Sequence, residues 1–289
     1  MLTMRIKGGL GNQLFQYAAV YALSKRLNQP FQFDYSFTNN MTLRGYKLKD
    51  LKVIESRLVE SSKLPIKINI IKNKYINKAC RILDFSQIDC DDYLYWLETK
   101  DEWQEYFFGI QAENIYIDGY FQSEDYFKEY RGEIISQFVP NYRPENTYLD
   151  LLNGIRSSNS IAVHVRRGDF KKDGHPFHYV LDQSYYKKAI SIMETEVSEP
   201  IFYWFSNDMD WVMNNVGVSE RYRFVNIKSK HSDIDELMLM KNCKHIIAAN
   251  STFSWWAAWL NENNPIILVP SKNYGMDRMI PEDWIRVPE

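Results

Sequence analysis

The sequence is short of the features that define several common protein classes. Its three cysteines (Cys80, Cys90, Cys243) cannot build a disulfide framework in 289 residues, and no C-x-x-C pair offers a zinc site. They read as small apolar fillers in a reducing compartment. No apolar run approaches the roughly 20 residues that span a bilayer. The opening segment, Met1-Leu-Thr-Met-Arg-Ile-Lys7, has no signal-peptide core before it meets a glycine loop. A cytoplasmic protein is expected, soluble or peripheral on the inner face of the cytoplasmic membrane. The basic excess of a nucleic-acid binder is also missing, since the formal net charge is −2.

What is abundant is aromatic. Twenty Tyr, 16 Phe and 8 Trp supply either large core side chains or platforms for sugars, and composition alone does not choose between them. The length suits two domains of similar size.

Patterning along the chain points to an α/β fold. Residues 2–7 read as a strand, Gly8-Gly-Leu-Gly11 as a turn, Asn12 to Leu27 as a helix and Phe31-Gln-Phe33 as a second strand ending at Asp34. Between 40 and 110 the periodicity weakens. Residues 61–83 carry six Lys/Arg and no acid, whereas 84–105 carry eight Asp/Glu and one Lys. Such blocks form solvated helix faces or salt-bridge each other; the functional alternative for the basic one is an anionic membrane surface. Ile115-Tyr-Ile117 reads as a strand and Ser123 to Phe138 as a helix. Pro140-Asn-Tyr-Arg-Pro144 interrupts both periodicities and reads as a linker. Beyond it, short strands at 161–165, 201–205, 222–225, 246–249 and 266–269 alternate with helices at 183–196, 208–216, 235–243 and 253–261. The expected domains are 1–145 and 146–289.

In such sheets ligands bind at the carboxyl ends of strands, so four loops carry candidate chemistry. In Gly8-Gly-Leu-Gly-Asn-Gln13 the glycines let backbone approach a ligand, and Asn12 and Gln13 can grip hydroxyls or phosphate. Leu14 replaces the third glycine of a dinucleotide fingerprint. In Ile161-Ala-Val-His-Val-Arg-Arg-Gly-Asp169, His164 and Arg166 share one face of a strand and Ile161, Val163 and Val165 the other. Arg166 suits a phosphate, while Arg167 reads as half of an Arg–Asp pair, with Asp169 the candidate partner. In the third loop, after the strand-like run 201–205, come Ser206, Asn207 and Asp208, where Asp208 suits guanine, ribose or a helix cap. The fourth loop, Asn250-Ser-Thr-Phe-Ser254, opens a helix with small hydroxyl residues, which bind phosphate or simply cap. Asp208-Met-Asp210 and Asp233-Ile-Asp235 spell D-x-D, but capping accounts for both, and no metal is expected.

Gly8-Gly-Leu-Gly-Asn-Gln-Leu-Phe-Gln-Tyr17, His164-Val-Arg-Arg-Gly-Asp169, Phe205-Ser-Asn-Asp208 and Asn250-Ser-Thr-Phe-Ser-Trp-Trp256 together resemble the α-1,2-fucosyltransferases, bacterial ones of glycosyltransferase family 11 in particular. The resemblance covers most of the chain; its His-x-Arg-Arg-x-Asp element is shared with α-1,6- and protein O-fucosyltransferases. It implies a GT-B fold of two Rossmann-like domains facing across a cleft. It also implies a GDP-β-L-fucose donor, no cofactor or required metal, and inverting transfer to O2 of a terminal β-galactoside. Carbohydrate metabolism of the O-antigen type follows from it.

Carried onto this chain, the resemblance gives Arg166 the β-phosphate and gives guanine to His164 and Asp208. Ser206, Asn250, Ser251, Thr252, Phe253 and Ser254 complete the donor side. Gly9, Gly11, Asn12 and Gln13 would close the cleft from the acceptor-side domain, and His178 would line the sugar site. Asn207 departs from the acid common at that position. Asp169 is the candidate base. Other fucose linkages (α-1,6 or protein O-linked), a nicotinamide oxidoreductase and a non-catalytic carbohydrate-binding protein are the competing readings.

Overall fold

The computed structural model describes residues 1–37, 45–54, 57–100, 105–168, 180–271 and 279–289. The chain divides into two compact units, Met1–Asn141 and Tyr142–Glu289, and the division falls within the Pro140–Pro144 stretch.

Unit 1 holds strands β1 (Leu2–Arg5), β2 (Phe31–Asp34), β3 (Arg57–Val59), β4 (Gln87–Cys90), β5 (Tyr93–Leu97) and β6 (Ile115–Asp118) in the sheet order β3-β2-β1-β6-β5-β4. All neighbours are parallel except the β4–β5 hairpin at the edge. Its helices are α1 (Leu10–Leu27), α2 (Ile66–Ile71), α3 (Lys74–Ile82) and α4 (Arg131–Gln137). In α1 every residue from Gln13 to Leu23 is buried. A helix apolar or small on nearly all sides is one enclosed by its domain. Strands β3 to β5 and helices α2 and α3 lie in the stretch whose periodicity was weak. The helix expected over 123–138 is two short 3-10 turns followed by α4, because Phe127 turns its fully buried ring inward at φ −151°.

The carboxyl ends of these strands carry charge, and that charge is spent inside unit 1. Asp118 accepts from Arg5 at 2.7 Å, Lys7 at 2.5 Å, Tyr95 at 2.6 Å and Asn77 at 3.0 Å. Asp34 pairs with Lys72 and accepts from Tyr116. Burial disfavours both carboxylates, but these partners outweigh it and hold each below the ordinary range, Asp118 far below. Gln16 ties the β1 and β6 ends together, accepting from the Lys7 N–H and donating to the Gly119 carbonyl. Of the basic block, Lys72 thus pairs outside the acidic block, whereas Lys67 pairs with Asp91 at 2.7 Å, a bridge between the two blocks of the kind one reading of the sequence had.

Unit 2 begins with α5 (Asn146–Arg156) and is built on β7 (Asn159–Val165), β8 (Pro200–Ser206), β9 (Tyr222–Phe224), β10 (His245–Ile247), β11 (Ile267–Pro270) and β12 (Ile285–Val287). They form an all-parallel sheet in the order β12-β11-β10-β7-β8-β9. The remaining helices are α6 (Gln183–Glu196), α7 (Met209–Asn215), α8 (Ser232–Asn242) and α9 (Thr252–Trp259). Strand order reverses between β7 and β10, the switch point where loops diverge and leave a crevice. Ile161, Val163 and Val165 lie in the core with Phe202, Trp204 and Leu268, leaving His164 on the opposite face. Trp255, Trp256 and Trp259 are buried, as packing rather than a sugar platform.

One group in unit 1 sets a pH dependence. Glu98, buried beyond β5, is pushed up to about 7 by burial, against the Tyr120 and Phe121 N–H groups and the charges of Lys7 and Arg81. A carboxyl raised in the folded state contributes most below its unfolded value, and that contribution is lost as pH rises through about 7. The thermal midpoint should therefore fall between pH 5 and about 8. Glu98→Gln should flatten that slope, as calorimetry across the range can check.

Candidate active site

The loops after β7, β8 and β10 lie side by side, because β7 is paired with β8 on one flank and β10 on the other. His164 is the penultimate residue of β7 and only 4% exposed. Its ring centroid lies 5.5 Å from that of Phe253 in the first turn of α9. The β7 and β10 candidates are therefore brought together at the switch point. Arg166, half-buried, is the first residue past β7.

The β7 and β8 loops are locked to each other by Asn207. Its side-chain oxygen accepts from the Arg167 N–H at 3.0 Å and the Gly168 N–H at 3.2 Å. A Cβ on Gly168 would stand 3.1 Å from the Asn207 amide nitrogen, so glycine permits this approach. Sequence reasoning treated Asn207 only as a missing acid. Its task here needs an acceptor for two backbone donors, which an amide supplies without adding charge.

Arg167 is structural, as its place on the opposite face suggested, although the carboxylate it meets among the described residues is Asp208, at 3.8 Å. It also donates to the Leu181 carbonyl at 2.7 Å and lies 3.8 Å over the Trp211 ring. Asp208 caps α7 through the Trp211 N–H, and Ser206 accepts from the Asp208 N–H at 2.9 Å. The capping reading of Asp208 holds, with its other oxygen turned towards Arg167.

At the β10–α9 turn the four hydroxyl and aromatic candidates divide. Ser254 is fully buried, and its hydroxyl bonds the Ala249 N–H at 3.2 Å and the Ala249 carbonyl at 3.1 Å. It shapes the turn, its hydroxyl being engaged by the turn's own backbone. Ser251 caps the helix at the Phe253 N–H. Ser251, Thr252 and Phe253 are half-buried at the helix N-terminus, with no acid in the first turn, and Asn250 lies just beneath. A helix start of this kind presents N–H groups and partial positive charge to an anion.

Glu236 on α8 was not among the candidates read from the sequence. This half-buried carboxyl is pushed up to about 7, by burial first and then by Asp233 and Asp235, with the nearby Arg166 opposing. The signal was the i, i+3 spacing of Asp233 and Glu236, two acids that share a helix face. Asp235, second acid of the second D-x-D spelling, is buried and accepts from Tyr142 at 2.7 Å and Ser229 at 2.5 Å. Among the described residues, no group of three His, Cys, Asp or Glu side chains is gathered as metal ligands.

In unit 1 the glycine loop follows β1. Gly8 adopts φ +81°, where an added Cβ would meet the Asn12 side chain at 2.5 Å. Gly9 precedes the first turn of α1, and Gly11 is buried within it. Asn12 accepts from Gln122 at 2.9 Å. Gln13 does not offer the free amide expected of it. It is fully buried, donates to the Gly8 and Gly45 carbonyls at 3.0 Å each, and accepts from the Lys47 N–H. Its work is to fix the 45–47 segment. Asp169 and His178 lie outside the described residues.

The sequence model of glycosyl transferase family 11 matches residues 1–287. The chain is 31% identical to the O-antigen biosynthesis glycosyltransferase WbnK of Escherichia coli, covering 98% of this chain and 99% of that protein. It is 29% identical to an alpha-1,2-colitosyltransferase of Escherichia coli (99% of each). It is 26% identical to the mouse galactoside 2-alpha-L-fucosyltransferase Sec1 (93% of this chain, 66% of that one). In fold it is similar to the NodZ alpha-1,6-fucosyltransferase soaked with GDP-fucose, with a TM-score of 0.53 at 12% identity over 90% of this chain and 91% of that one.

The Ser254 hydroxyl is the test of how the turn is held. Ser254→Ala strands a buried N–H and should lower unfolding free energy by about 1–3 kcal/mol. Urea denaturation of the folded variant measures it.

Proposed function

The chain belongs to glycosyl transferase family 11, and from that membership we propose that it moves L-fucose from GDP-β-L-fucose to O2 of a terminal β-galactoside, with inversion, forming an α-1,2 linkage. The observation that carries the reading is the approach of His164 to Phe253 at the switch point of unit 2, which sets the end of β7, with Arg166 the next residue but one, beside the N-terminus of α9. O-antigen assembly is the setting suggested by the similarity to WbnK.

The charge that moves dictates the roles. As the bond from fucose to the diphosphate breaks, the sugar becomes oxocarbenium-like and GDP gains negative charge. We assign that charge to the Arg166 guanidinium and the first-turn N–H groups of α9, with Ser251, Thr252 and Phe253 shaping the cradle and no metal ion called for. His164, its ring tilted beside that of Phe253, and Asp208 are assigned to the guanine end. The donor thus belongs to unit 2 and the acceptor to unit 1, whose Gly9, Gly11 and Asn12 mark the loop after β1. Asp169 is proposed as the base that takes the proton of the acceptor hydroxyl, and His178 as a sugar-side residue. Peripheral contact with a membrane belongs to the same proposal.

A second reading concerns the donor sugar. The 29% identity to an alpha-1,2-colitosyltransferase favours colitose, which lacks the 3-hydroxyl of fucose. Competing turnover of the two GDP-sugars decides, since a site built to bond the 3-hydroxyl discriminates strongly against its absence.

Arg166→Ala should lower kcat about 10²–10³-fold in a folded protein. The test uses GDP-fucose and a panel of galactosides with and without EDTA, the linkage being read by NMR. Normal turnover by the variant, or loss of native turnover in EDTA, would overturn these assignments.

Glu236 supplies a pH test. Ionised above about 7, it competes with the diphosphate for Arg166, so the KM for the donor should rise with pH through that value. Glu236→Gln should flatten the KM profile while the native enzyme retains it.

A further inference from the structure

Helix α3 is mounted with its polar side inward. Asn77 donates to Asp118 at 3.0 Å, and Arg81 bonds Asn77 at 3.1 Å and the Glu98 carbonyl. None of its residues is fully buried. At 100° per residue, Tyr75, Ala79 and Ile82 then fall on the opposite side, with Ile76 and Leu83 beside them. That side is the exposed one: Tyr75 and Ile82 are each 72% exposed and Leu83 62%. In α2, Ile68 and Ile71 enter the core while Ile66 and Ile70, one turn apart, remain outside. Seven of the fifteen exposed large apolar side chains among the described residues fall between Ile66 and Phe85. A clustered surface of this kind calls for a covering partner, where scattered apolar residues would not.

The charges around it indicate which partner. Lys63, Lys74 and Lys78 are exposed, and none meets a carboxylate among the described residues. Two acids of the following block are answered by other lysines: Asp84 pairs with Lys100 at 3.0 Å, and Asp91 on the β4–β5 hairpin pairs with Lys67 at 2.7 Å. Two-fold pairing of this patch with itself would press Lys74 and Lys78 against their own copies. An anionic surface would satisfy them.

We propose that the outward face of α2 and α3 docks on an anionic lipid bilayer. Ile82, Leu83 and Ile76 enter the apolar boundary, Tyr75 lies at headgroup level, and Lys74 and Lys78 meet lipid phosphates. The surface is independent of the Arg166 assignment, and its test is separable from sugar transfer.

The full chain is sedimented with vesicles of phosphatidylethanolamine containing about a quarter phosphatidylglycerol, and with phosphatidylcholine vesicles. The native chain should pellet with the anionic vesicles and poorly with the neutral ones. Ile82→Asp with Leu83→Asp should reduce partitioning by about tenfold or more. Lys74→Gln and Lys78→Gln should each reduce it about fivefold, on the anionic vesicles only. Transfer to a soluble acceptor without vesicles should be unchanged in all of them, and circular dichroism should match the native chain. Failure to pellet, or pelleting that the aspartates leave intact, overturns the proposal. So does a native dimer that the aspartates convert to monomer, since the face would then belong to a second copy.

Discussion

Both units obey one constraint: a parallel sheet gathers the carboxyl ends of its strands on one edge, and every charge placed there must find a partner. The units meet it differently. In unit 1 Asp118 and Asp34 collect Arg5, Lys7 and Lys72, and Gln16 sews the two central strand ends together. That edge is electrostatically closed upon itself. In unit 2 the second arginine is committed to Trp211, Leu181 and Asp208, while Arg166, in the field of Glu236, and the start of α9 stand at the reversal of strand order. A shared architecture thus yields one edge built for rigidity and another suited to a transient anion.

The division of the paired arginines shows how this is done. Adjacent residues at a strand end point to opposite sides, so Arg166-Arg167 sends one guanidinium to each. Arg167 packs on an aromatic ring and draws Asp208 to it. Asn207 meanwhile fixes both backbones without competing for either cation. A carboxylate at 207 would add negative charge beside the site proposed for the diphosphate, whereas the amide accepts the same two hydrogen bonds at no such cost.

The sequence revealed the second half of the fold better than the first. Strands such as Ile161 to Val165 and Ile201 to Phe205 are buried on both sides and bounded by turn residues, so their signal is strong. Residues 57–97 pack short strands and an inverted helix whose polar residues face inward, so periodicity there points the wrong way. The site was legible where a residue type carries its own chemistry, as with Arg166 and His164. It was not legible where the deciding fact was a partner distant in sequence. Gln13 looked like a ligand grip until Gly45 and Lys47 claimed it, and Glu236 acquired its interest only through Arg166.

The Ser254 knot has a kinetic meaning as well. Its hydroxyl ties Ala249 to the head of α9, so the turn proposed as a cradle is held by the chain's own hydrogen bonds. An arriving diphosphate need not order that turn, so little of its binding energy is diverted into loop entropy. Under the proposed assignment, release after transfer would likewise involve no refolding of that turn, so the knot would ease capture and departure alike.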